Sequence, residues 1–312
     1  MSIRVGVVGV GHLGRHHARL YAAMPGVDLV GVVDINRLRA EAIAAEHGAP
    51  ACFQADDLYG KVDAVSIAVP TERHLEVALP FLRAGVSVLV EKPMARSLQE
   101  ADEMIAAAAS ADARLAVGHT ERFNPAVEAA RPLLQDPRFI EVHRLGTFPE
   151  RSLDIDVVFD LMIHDLDVVL SLVRSEVESI EAVGVPVLTG RVDIANARLR
   201  FANGCIANLT ASRISRDRVR KIRFFQPSAY VSIDYAAQKL EVYRLVQGQG
   251  PMPAIQGGEL AVPNEEPLKR ELADFIDAVE SRRAPQVDGA QGRRALELAA
   301  RITERMGPVP AR

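Results

Sequence analysis

Residues 3–14 read Ile3-Arg4-Val5-Gly6-Val7-Val8-Gly9-Val10-Gly11-His12-Leu13-Gly14. The β-branched apolar run at the start suits a strand buried on both faces. Gly9, Gly11 and Gly14 have the G-x-G-x-x-G spacing, and a helical pattern follows with Leu13, His17, Leu20 and Tyr21 along one face. Each glycine then serves a separate end, namely a tight turn, close approach of backbone to a pyrophosphate, and close packing of helix on strand. The helix N-terminus would face the phosphates with N–H groups and a partial positive charge. A second apolar strand, Val27–Val33, ends at Asp34, 20 residues after Gly14. An acid at that tip accepts hydrogen bonds from the ribose hydroxyls of NAD and repels the 2′-phosphate of NADP. NAD is the expected cofactor and NADP the less favoured one, with Arg37 close enough in sequence to soften the preference.

The stretch Val86-Ser87-Val88-Leu89-Val90-Glu91-Lys92-Pro93 is a strand pattern that stops at a carboxylate, a lysine and a proline. Open α/β sheets place their chemistry at the carboxyl ends of their strands. A lysine there is unusual, because lysines are seldom buried without a partner or a function. Pro93 restricts Lys92 to extended conformations, so the ammonium group is aimed at one place. Alone, the pair could be a surface Glu-Lys contact of little consequence; the dinucleotide fingerprint upstream favours the functional reading.

Strand and helix patterns alternate through the first third. Strands are expected at Ile3–Val8, Val27–Val33, Ala64–Ala68, Ser87–Val90 and Arg114–Val117, and helices at Leu13–Ala23, Leu38–Ala45, Arg73–Ala84 and Leu98–Ala109. Such alternation implies a parallel, doubly wound sheet, so the fold class is α/β with an N-terminal Rossmann domain over residues 1–120. Beyond it the pattern changes. A helix over Pro125–Leu134, a strand at Ile140–Leu145 and a long helix over Val157–Val173 precede six strand candidates between Val177 and Leu245. Strands joined by turns such as Ala202-Asn203-Gly204 predict an α+β domain over 121–312 with a large, mostly antiparallel open sheet. One face of that sheet takes the helices. The other must meet solvent or a partner, so a homo-oligomer, dimer or tetramer, is expected there. Gln247–Pro267 reads as a long Gly- and Pro-rich loop, and two helices near Leu268–Ser281 and Gly289–Met306 dock back on the body.

A length of 312 residues suits two domains, and 48% hydrophobic residues suffice for their cores. The net charge of −4 and the scarcity of aromatics argue against a nucleic-acid partner. Cys52 and Cys205 make no metal-type spacing and fit a reducing cytoplasm, and no segment has the uncharged length of a membrane span. Arg213, Arg216, Arg218, Arg220, Lys221 and Arg223 form a basic run. It reads as a solvated or interface-facing strand pair, or as a clamp for a diphosphate.

Within the helix Val157–Val173, Asp160, His164 and Asp167 stand at i, i+4 and i+7 and so share a face in a regular α-helix. A structural histidine and a helix-capping acid are the plain alternative. A metal site lacks a third ligand, so no metal is expected. Oxidising a secondary alcohol needs a hydride acceptor, a base for the hydroxyl proton, and groups that hold the carbinol. His164 has the intrinsic pKa of a base, Lys92 can stabilise charge on the reacting oxygen, and Asp160 can hold the substrate or Lys92.

Taken together these residues resemble the Gfo/Idh/MocA oxidoreductase family along nearly the whole chain. Gly9, Gly11, Gly14 and His17 match its first motif, Pro70-Thr71 with His74 the segment after the third strand, Glu91-Lys92-Pro93 its signature tripeptide, and Asp160 with His164 its Asp-x-x-x-His pair. The resemblance implies Lys92, Asp160 and His164 as catalytic residues. It implies cofactor contacts from Gly9, Gly11, His12, Leu13, Gly14 and Asp34, and from Pro70, Thr71, His74, Glu91 and Lys92. It also implies a frequently cis peptide before Pro93. Val158-Phe159 replaces a frequent Gly-Gly, which puts the local backbone there in question. The segments Gly118–Pro125 and Asp160–Asp167 are similar to a bacterial subgroup that includes an enzyme oxidising C3 of UDP-N-acetylglucosamine. Its 3-keto product goes to an aminotransferase making the 3-amino sugar of lipid A. His119, Glu121 and Asn124 follow the fifth strand and are expected to line the cleft as substrate contacts, and Arg151, with Arg144, flanks a loop beside the catalytic helix as a candidate clamp for a diphosphate. A free polyol or inositol dehydrogenase and a catalytically silent NAD-binding regulator are the alternatives.

Overall fold

The computed structural model describes residues 2–148, 155–247 and 253–307. Contacts divide the chain into two compact units, Met1–Thr120 with Leu268–Leu296, and Glu121–Pro267 with Glu297–Arg312.

The first unit carries β1 (Ile3–Val8), α1 (Gly14–Ala22), β2 (Val27–Val33), α2 (Arg37–His47), β3 (Ala51–Cys52), β4 (Ala64–Ile67), α3 (His74–Arg83), β5 (Ser87–Glu91), α4 (Leu98–Ser110) and β6 (Leu115–Gly118). The six strands form one sheet of order β3-β2-β1-β4-β5-β6, and every pairing is parallel. This is the doubly wound order of dinucleotide-binding domains, with its switch point between β1 and β4. All residues of β4 and β5 are buried, as a sheet covered on both faces requires. Leu272, Phe275 and Ile276 of the late helix Pro267–Ser281 join Val5, Val7, Tyr21 and Leu89 in one core cluster.

The second unit carries α5 (Pro125–Ala130), β7 (Phe139–Leu145), α6 (Ile163–Leu172), β8 (Val177–Val185), β9 (Ile194–Phe201), β10 (Ile206–Ser212), β11 (Val219–Gln226), β12 (Ala229–Asp234), β13 (Lys239–Val246) and β14 (Ala254–Leu260). Two further helices, α7 (Pro267–Ser281) and α8 (Gly289–Met306), end the described chain. The eight-stranded sheet has the order β14-β13-β12-β11-β7-β10-β9-β8. Only β7 and β10 pair in parallel. One face is apolar and buried through Ile140, Val142, Leu199, Leu209, Phe224, Val231 and Leu240. On the other, Phe139, Phe225, Tyr230 and Tyr243 stand in register across four strands, with ring centroids 5.6, 5.2 and 6.1 Å apart.

Several expectations need correction. The stretch 247–267 is not simply a loop, because Ala254–Leu260 pairs with β13 as an edge strand. Its Gly257 and Gly258 have φ of 158° and 151°, and a side chain at Gly257 would collide with Val242 and Tyr243 of β13. The helix expected from Val157 begins instead as a π-helical turn, Val158–Met162, before α6 takes over. The helix expected over Pro125–Leu134 stops at Ala130 and continues only as one 3₁₀ turn, Arg131–Leu133, around Pro132. The two-residue β3 was too short to leave a sequence pattern.

Candidate active site

In the first unit, β1 delivers Gly9 at φ 87°, a left-handed conformation that favours glycine. A side chain at Gly14 would collide with the Gly9 carbonyl, so the turn closes only with glycine there. The N-terminus of α1 has no side-chain cap and no acid in its first turn. Its amide end thus remains suited to a pyrophosphate, with His12 and Leu13 exposed beside it. Asp34, at the tip of β2, is 6% exposed. It accepts hydrogen bonds from Val10 N–H at 3.2 Å and Asn36 N–H at 2.8 Å, which hold the carboxylate against the glycine turn. The arginine facing it is Arg39, 3.2 Å away, and not Arg37, whose guanidinium lies 4.2 Å above the Phe53 ring. Arg39 lies at the start of α2, where Asn36 caps the helix by accepting from Arg39 N–H.

At the tip of β5, Glu91 is buried, Lys92 half-buried, and the Lys92–Pro93 peptide cis, as the resemblance implied. His74 is buried, with Nε2 2.9 Å from Val69 O and Nδ1 3.0 Å from Pro93 O. Its ring joins the loop after β4 to the Lys92-Pro93 turn, and it holds that loop in place. Burial, against the opposing pull of these carbonyls and of Glu91, pushes its pKa down from the usual value. Pro70 and Thr71 sit at the surface of the same loop.

In the second unit, Asp160 lies inside the π-helical turn, so the even spacing of a regular α-helix does not apply across it. Asp160 and His164 are half-buried, whereas Asp167 is buried and pairs with Arg122 at 3.1 Å. The shared face expected for all three is therefore absent; Asp167 belongs to an ion pair. Val158 and Phe159, the departure from the Gly-Gly pattern, stand in this turn. Next to His164, Asp165 receives two hydrogen bonds from the buried Arg144, at 2.6 and 3.0 Å. Arg144 also donates to Glu121 at 3.1 Å. These carboxylates outweigh burial and raise the Arg144 pKa. Asn124 caps α5 by accepting from Ala126 N–H and donates to Tyr235 O at 3.0 Å, so its amide serves the fold. His119, in the first unit, is 1% exposed. Arg151 lies outside the described residues. Arg213 is not part of a solvated strand: it is 1% exposed and bonded to Asp193, Ile155 O and Thr189. Lys221 and Arg223 pair within the sheet with Asp234 and Glu141, which leaves Arg216, Arg218 and Arg220 as the other arginines of the run.

Comparison with known proteins agrees with this construction. The family model described as "Oxidoreductase family, NAD-binding Rossmann fold" matches residues 3–119, and that described as "GFO/IDH/MocA C-terminal domain" matches residues 99–229. The chain belongs to the Gfo/Idh/MocA family. It is an oxidoreductase with an NAD-binding Rossmann fold, and the glycine turn with Asp34 fits that cofactor. A UDP-N-acetylglucosamine 3-dehydrogenase of Acidithiobacillus ferrooxidans is 41% identical over 304 residues, 97% of this chain and 96% of the relative. A solved structure of that enzyme superposes with a TM-score of 0.91 at 40% identity, covering 98% of each chain. An inositol 2-dehydrogenase of Rhizobium meliloti is 29% identical over 68% of this chain and 69% of its own length. Asp34→Ala is expected to weaken NADH binding by about 10- to 100-fold, the worth of hydrogen bonds to a charged acceptor. Quenching of NADH fluorescence on titration measures it, and NADPH binding should weaken far less.

Proposed function

We propose that this protein oxidises the C3 hydroxyl of UDP-N-acetylglucosamine to the 3-keto sugar nucleotide, with NAD as oxidant. The observation that carries the reading is the similarity to an enzyme of that name along 97% of the chain; the inositol dehydrogenase likeness spans only 68%. When bound, NAD supplies the hydride acceptor. Lys92 has the position for an oxyanion stabiliser: a half-buried ammonium at a strand tip, aimed by the rigid turn that His74 and Pro93 hold. His164 is the base for the hydroxyl proton. Its neighbours Asp165 and Asp167 are committed to Arg144 and Arg122, and these two ion pairs fix the helix that presents the imidazole. Asp160, in the π-helical turn, holds the substrate by hydrogen bonds. Glu121 and His119 are further substrate contacts in this reading. The open face of the eight-stranded sheet, with its aromatic row, supports assembly of identical chains. An aminotransferase acting on the 3-keto product, toward the amino sugar of lipid A, and a cytoplasmic location complete the proposal. Among the described residues no helix is long and apolar enough to cross a membrane.

The test is NADH formation, followed by its near-ultraviolet absorbance, with a carbonyl trap to draw the oxidation forward. UDP-N-acetylglucosamine should give signal, and free N-acetylglucosamine and myo-inositol should not. Signal on inositol alone would replace the proposal with a free polyol dehydrogenase.

A further inference from the structure

The glutamate of the Glu91-Lys92-Pro93 turn has a partner that no cofactor or substrate role explains. His17 is 0% exposed on α1, one turn from the glycine loop, and its Nε2 lies 3.1 Å from Glu91 Oε1. The other oxygen, Oε2, accepts the backbone N–H of Lys92 at 3.3 Å. Glu91 and Gly118 are opposite residues of β5 and β6, and a Cβ on Gly118 would come within 2.9–3.1 Å of the carboxylate atoms. The carboxylate therefore occupies space that only a glycine on β6 provides. One anion, 6% exposed, joins the first turns of the dinucleotide helix to the backbone amide of Lys92.

Nε2 of His17 faces the carboxylate, and Nδ1 is buried with no hydrogen-bond partner among the described residues. Burial opposes the Glu91 charge, but the hydrogen bond and electrostatic pull of His17, the Lys92 charge and the Lys92 N–H together hold its pKa below the usual carboxylate range. His74 is the other ionisable group at this corner and feels the same carboxylate.

We propose that His17 and Glu91 are a positioning pair for Lys92, which fixes the lysine backbone to the pyrophosphate helix. The inference rests on Lys92 acting on the reacting oxygen. It adds two residues, His17 and Glu91, that act through that lysine.

Three variants test it: Glu91→Gln, His17→Gln and His17→Leu, with Lys92→Met as the control. Glu91→Gln keeps the shape and weakens the acceptor for the Lys92 backbone N–H. With the turn less firmly held, kcat should fall by about tenfold. NADH affinity, read from fluorescence, should change by less than about threefold, because the glycine turn and Asp34 are intact. His17→Gln offers an amide N–H in the place of Nε2 and should recover most of the kcat that His17→Leu loses. Should His17→Leu fail to fold, Glu91→Gln and His17→Gln carry the comparison, since both keep a polar side chain of similar volume. An unchanged kcat in Glu91→Gln, or kcat and NADH affinity falling in parallel, would overturn the proposal. Full turnover in Lys92→Met would instead remove the assignment of Lys92 on which it rests.

Discussion

Replacing Lys92 by methionine is expected to lower kcat by about 10²- to 10³-fold while NADH still binds. An oxyanion-stabilising donor contributes that much when it acts in the transition state. Lys92 is half-buried at the end of a fully buried strand, and the turn around it is held at Pro93 O by His74 and at Glu91 by His17. The methionine keeps the length and apolar stem of the lysine, so packing survives and only the ammonium is lost. His164→Ala should cost a similar factor, about 10²- to 10⁴-fold, as loss of a general base. Steady-state kinetics with a parallel NADH titration reads both, and a Lys92→Met enzyme within about threefold of the wild type would refute the assignment.

The largest effect on stability is expected from Arg144→Met. Arg144 is 4% exposed and is the cation for two carboxylates, Asp165 and Glu121. Removing one partner of a buried ion pair leaves an uncompensated charge, at about 3–5 kcal/mol. For a unit of this size that is a drop in Tm on the order of 10 °C. Adding Asp165→Asn to the same chain should return part of the loss, because the orphaned charge is then neutral. Calorimetry or thermal circular dichroism on the wild type and both variants checks the cycle. A fall of less than about 2 °C in Arg144→Met would mean that the pair is open to water.

The candidate site was legible in the sequence where its residues stand at the points at which periodic patterns stop. The glycine turn, Asp34 and Lys92 all lie at strand ends, and strands buried on both faces announce their ends sharply, as Val90-Glu91-Lys92 does. What was not legible depended on partners distant in sequence. Arg213 looked like one residue of a basic surface, yet it is sealed against Asp193, with which it shares no local pattern. Asp167 kept helical spacing with His164, but Arg122 claims it and the π-helical turn shifts the register upstream. Asn124 followed a strand and so suggested the cleft, but the signal that explains it was local: an Asn directly before Pro125 is a helix cap. The strand β14 was hidden by Gly257 and Gly258, which favour a loop by composition and here permit an edge strand. His17 was legible as a motif residue on one face of α1, without a partner to explain it. Its partner, Glu91, is 74 residues away.

The most direct measurement follows the transferred hydrogen. UDP-N-acetylglucosamine deuterated at C3 of the sugar, incubated with the protein and NAD, should yield NADH carrying one deuterium, detected by mass spectrometry, together with an unlabelled 3-keto sugar nucleotide. NADH that forms without the label, or no NADH from this substrate while another sugar reduces NAD, would contradict the assignment of the C3 hydroxyl.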